Sequence, residues 1–73
     1  MTNIIPIHVT RAAKARGVGV GAYLAAKALG LSPIQCEAVM RKARADYARG
    51  VSPAMSIARA SAEARRMATQ EPA

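Results

Sequence analysis

Gly30-Leu31-Ser32-Pro33 returns twenty residues later as Gly50-Val51-Ser52-Pro53. Each copy is a stop-start signal for helix. Glycine just past a helix end takes the left-handed conformation at no steric cost. The apolar residue after it can fold back onto the last turn. Serine then caps the next helix, and proline occupies its first position, where a missing N–H costs nothing. Two helix junctions are therefore predicted, at 30–33 and 50–53. The segments after the two copies do not otherwise match, so the pattern is punctuation rather than a structural repeat.

Composition agrees with helix. Hydrophobic residues make up 52% of the 73, but 18 residues are alanine, which favours helix and fills little core. There is no Phe or Trp, and Tyr23 and Tyr47 are the only aromatics. A chain this short forms one domain at most and is marginally stable. The predicted fold class is all-α: a module of three to four helices behind an extended N-terminal arm.

Residues 1–9 contain Ile4, Ile5, Ile7 and Val9 with Pro6 among them, and read as the extended arm or a lone edge strand. Residues 10–70 form the helical domain, and 71–73 a disordered tail. Within the domain, Thr10 is expected to cap a short basic helix, Arg11 to Arg16, and Gly17 to Gly21 to form a loop. A second helix is expected from about Ala22 to Leu29, with Val20, Leu24, Ala28 and Leu31 as its inner stripe. The third carries a capping box, Ser32 to Gln35, and one apolar face of Cys36, Val39, Met40, Ala43 and Tyr47. Glu37 is placed to pair with Arg41, and Arg49 to meet the negative helix end. The fourth runs from Pro53 to about Gln70, frayed in its distal half, over a thin stripe of Ile57, Ala60, Ala64 and Met67.

The net charge is +7, and no acid precedes Glu37, whereas Arg11, Lys14, Arg16 and Lys27 do. Such a distribution suits nucleic acid or an acidic protein surface, and an anionic membrane less well. The dull alternative is a solvated face that keeps an alanine-rich chain in solution. No run of about 18 apolar residues could span a bilayer. No signal peptide is evident, and a single cysteine fits a reducing compartment, so the cytoplasm is expected. Glycines 17, 19 and 21 lack the phosphate-loop pattern. His8 and Cys36 are too few for zinc, and no base accompanies Cys36, which reads as a small core residue. Glu37, Asp46, Glu63 and Glu71 read as partners in surface ion pairs. No enzyme, cofactor or metal is expected.

Two binding surfaces remain. The window 22–41 fits a helix-turn-helix, with small Ala26 at the crossing, Gly30 at the turn, and Leu29, Leu31, Cys36 and Val39 locking the pair. Its second helix would offer Gln35, Arg41 and Lys42 to DNA, as a repressor does. Alternatively the arm supplies Ile4, Ile5, Ile7 and Val9 as apolar contacts to a partner protein, steered by Arg11, Lys14 and Arg16. The arm could also simply pack across the helices. A third role is a virion protein that holds packaged DNA without sequence preference.

In its length, Ile-rich start from Met1 to Val9, basic helical body and Ala/Arg-rich usage, the chain resembles the small transcription regulators of lytic Xanthomonas phages. The resemblance implies binding to host RNA polymerase at the β′ N-terminal region near the RNA exit channel, with the β flap and NusA as further partners. It also implies inhibition of promoter-dependent initiation and antitermination at intrinsic terminators in the host cytoplasm; no dimer seam is evident in the sequence, and a monomer is expected. It transfers no residue role.

Overall fold

The computed structural model describes residues 7–70, with side chains from Arg11 onward, as three helices: α1 (Ile7–Ala28), α2 (Pro33–Ala48) and α3 (Pro53–Gln70). Both predicted junctions are present. Gly30 and Gly50 have φ of 83° and 98°. At the first, the Gly30 N–H donates to the Lys27 carbonyl (2.9 Å) and the Leu31 N–H to the Ala26 carbonyl (3.3 Å). At the second, Gly50 donates to Tyr47 (3.0 Å) and Val51 to Asp46 (3.1 Å). This paired pattern is the Schellman ending, which satisfies carbonyls that the helix itself leaves open. Ser32 Oγ then accepts from the Gln35 N–H (3.2 Å), Gln35 Oε1 accepts from the Ser32 N–H (2.9 Å), and Ser52 Oγ accepts from the Met55 N–H (3.2 Å). The capping box is thus complete at α2, while α3 has the serine half.

The N-terminal half departs from expectation. The short basic helix, the glycine loop and the second helix are one helix of 22 residues, and Thr10 lies inside it. Each interior glycine costs roughly 1 kcal/mol against alanine, yet two of them sit where other helices press closest. A Cβ on Gly19 would lie 2.5 Å from Arg44 Nε and 3.1 Å from Met40 Cγ, and one on Gly21 would lie 3.1 Å from Ile57 Cδ1. Tertiary packing of α2 and α3 therefore overrides local propensity. Of the predicted arm, Ile7 and Val9 are corrected to the first turn of α1. Ile4, Ile5 and the tail 71–73 lie outside the described residues.

Neighbours along α1 set the topology. Arg11 meets Tyr47, Gly19 faces Met40 and Arg44, and Ala26 bonds Leu31, so α1 and α2 run antiparallel along most of their length. Arg59 of α3 reaches Asp46, and Ala68 lies across from Leu31 and Gln35, so α3 returns antiparallel to α2. Each helix packs on the other two. The result is an up-down-up three-helix bundle.

Its core is Val18, Ala22, Ala26, Leu31, Cys36, Val39, Ala43, Ala60 and Ala64, rimmed by Tyr23, Tyr47, Ile57 and Met67. The predicted α2 and α3 stripes are buried at Cys36, Val39, Ala43, Ala60 and Ala64 and half-buried at Met40, Tyr47, Ile57 and Met67. On α1 the inner stripe is instead Val18, Ala22 and Ala26, and of the predicted set Val20, Leu24, Ala28 and Leu31 only Leu31 is buried. The shift of two residues turns the helix by about 200°. The small face goes inward because alanine lets three helices approach closely, whereas Val20 and Leu24 would hold them apart.

Among the described residues two polar side chains are fully buried, Asp46 and Ser56. Asp46 was expected at the surface. Its carboxylate instead sits inside the second junction, paired with Arg49, and with Arg59 Nε at 3.5 Å from Oδ2. Oδ2 accepts no hydrogen bond, so the Arg59 contact is coulombic. Ser56 Oγ donates to the Val51 carbonyl (3.4 Å), as Cys36 Sγ does to the Leu31 carbonyl (3.6 Å).

Candidate functional site

Among the described residues three cations are held in ion pairs: Arg49 and Arg59 by Asp46, and Arg66 by Glu63. Of the surface pairs predicted, Glu63 has its partner, while Glu37 and Arg41 do not join. The remaining cations are exposed and form no ion pair among the described residues. Two of them bridge α1 and α2. Arg11 lies over the Tyr47 ring, 5.8 Å from its centroid, a cation–π contact worth about 0.5–1 kcal/mol at an exposed site. Arg44 crosses the other way, its guanidinium against the bare backbone at Gly19. Arg41, one turn from Arg44, continues the basic row on α2.

Lys14 and Arg16 stand exposed on α1, and Lys27 is exposed near its end. Ile4 and Ile5, the apolar contacts that Lys14 and Arg16 were expected to flank, lie outside the described residues. Between Arg16 and Lys27 the helix presents a surface that spacing alone misassigned. Gly17, Val20 and Leu24 follow at i, i+3 and i+7, and Val20 and Leu24 are 52% and 56% exposed. No neighbouring atom lies within 4 Å of a Cβ built on Gly17.

The window 22–41 is present as two helices joined through Leu29 to Ser32, with Ala26, Leu31, Cys36 and Val39 buried and Leu29 42% exposed. Contact continues beyond the window to Arg11 and Tyr47, which makes the pair a long antiparallel hairpin. In a DNA-reading helix-turn-helix the two helices cross at about 90–120°. Arg41 and Lys42 are exposed on α2, whereas the Gln35 amide oxygen is engaged by the cap. Beside that cap lies a shallow groove of 270 Å³ lined by Leu29, Gly30, Leu31, Ser32, Gln35 and Ala68.

Among the described residues no three of His, Cys, Asp and Glu converge as metal ligands, and no helix is long and apolar enough to cross a membrane. Fold and surface together define a small basic three-helix bundle with cations along α1 and α2. Compared with protein families, curated proteins and solved structures, the chain has no significant match.

Proposed function

We propose that this chain is a non-enzymatic docking protein for an acidic protein surface, and that the surface belongs to host RNA polymerase. Binding at the β′ N-terminal region by the RNA exit channel would block promoter-dependent initiation and favour read-through of intrinsic terminators, with NusA and the β flap nearby. The observation that supports docking is α1: four cations, no acid, no ion pair to any of the four among the described residues, and an apolar strip left in water. The polymerase is named by the sequence resemblance alone, and host cytoplasm follows from it.

A pull-down from host lysate after nuclease treatment, joined to an in vitro terminator assay, tests this. Retained polymerase subunits and raised read-through are expected. Loss of all capture on nuclease treatment would instead point to DNA. Sequence-specific binding that depends on Arg41 and Lys42 would then mark a repressor, and broad salt-sensitive binding a packaging role.

A further inference from the structure

We infer that the outer face of α1 is itself the contact surface, and that it receives an acidic amphipathic helix of the partner. The inference rests on the docking reading above and adds the face, the partner's secondary structure and its charge pattern. Arg16, Val20, Leu24 and Lys27 succeed one another at i+4, i+4 and i+3, so they form one row down the helix. The two cations stand about 16 Å apart along the axis, with the apolar pair between them. That row lies opposite the buried Val18, Ala22 and Ala26, so the bundle's own packing does not cover it.

Charge selects the occupant. A second copy laid antiparallel on this face would set Arg16 against Lys27 at both ends, with no acid on α1 to relieve the repulsion. A nucleic-acid backbone would use the cations but would gain nothing from Val20 and Leu24. An acidic helix satisfies both: its apolar stripe covers Val20 and Leu24 while carboxylates along its borders meet Arg16 and Lys27. Open space over Gly17 seats a bulky partner side chain close to the backbone.

The test uses the full chain and a fluorescein-labelled synthetic helix of about 18 residues, long enough to hold helix, with Leu and Ala on one face and Glu along both borders. Fluorescence anisotropy is expected to show saturable binding. Val20→Glu and Leu24→Glu should each weaken it roughly tenfold or more, as loss of an interface anchor does. Both variants should keep the wild-type circular dichroism and melting temperature, because both sites are exposed. Unchanged affinity in a folded Leu24→Glu chain overturns the inference. So does equal binding of a scrambled peptide, tighter Leu24-dependent binding to vesicles of anionic lipid, or a Leu24-dependent dimer in sedimentation. Polymerase retention separates the two readings. If wild type and Leu24→Glu are retained equally, the face is wrong and the docking partner stands. If neither is retained while the peptide still needs Leu24, the face stands and the partner is wrong.

Discussion

At Gly30 and at Gly50 the backbone does the same thing twice, while the side chains buried around it differ in kind. Counting from each glycine, Ala26 corresponds to Asp46, Leu31 to Val51 and Cys36 to Ser56. The first junction buries all three of its members. The second buries a carboxylate and a hydroxyl, leaves Val51 half-buried, and draws in Arg49 and Arg59 from its rim. One backbone motif thus supports an apolar joint between α1 and α2 and a charged joint between α2 and α3. The Schellman hydrogen bonds fix the chain path, and the side-chain filling is free to vary around it.

The largest way to break this equivalence is to exchange the fillings. Ala26→Asp places a carboxylate in the apolar joint, where Leu29 and Val39 stand at the positions that Arg49 and Arg59 hold in the other. It should cost more than about 3 kcal/mol, a large part of a small domain's stability, and abolish the helical circular dichroism signal. At the charged joint the order of effects should invert. Arg49→Ala combined with Arg59→Ala strands the buried carboxylate and should cost about 2–3 kcal/mol in urea unfolding. Asp46→Ala should change stability by less than about 1 kcal/mol, because the freed arginines, already 65% and 51% exposed, return to water. If Asp46→Ala were the more damaging change, the ion pairs would be the clamp and not a repair.

Backbone substitutions sharpen the shared half of the comparison. Gly30→Ala and Gly50→Ala each force a side chain into positive φ and should each cost about 1–2 kcal/mol, nearly equally. A clear inequality in melting temperature would show that the two endings are not interchangeable. The smallest effects belong to Cys36→Ser and Ser56→Cys, which keep the bond to the preceding carbonyl. Each should stay within roughly 1 kcal/mol.

These junctions were the most legible part of the chain, since glycine, serine and proline act locally and need no knowledge of the fold. The buried faces of α2 and α3 were legible too, because one apolar stripe stands against polar residues on each. Helix α1 was not. It is apolar on both sides, so periodicity gives two stripes and only the size of the side chains decides which one turns inward. Its glycines read as a loop because their use, letting Arg44 and Ile57 approach, depends on helices far away in sequence. Asp46 was missed for the same reason: only with the junctions superposed does it fall where Ala26 is buried. The exposed pair Val20 and Leu24 went unrecognised as a surface because spacing had already assigned both to the core.

A core in which, among the described residues, five of nine buried apolar side chains are alanine also governs how the chain responds to heat. Little hydrocarbon is newly hydrated when such a bundle opens, so the heat-capacity increment is small and the stability curve is shallow. With little enthalpy concentrated in one step, melting spreads over a broad span of temperature. The same close approach that lets three slender helices fit together thus leaves their assembly nearly indifferent to modest cooling or warming.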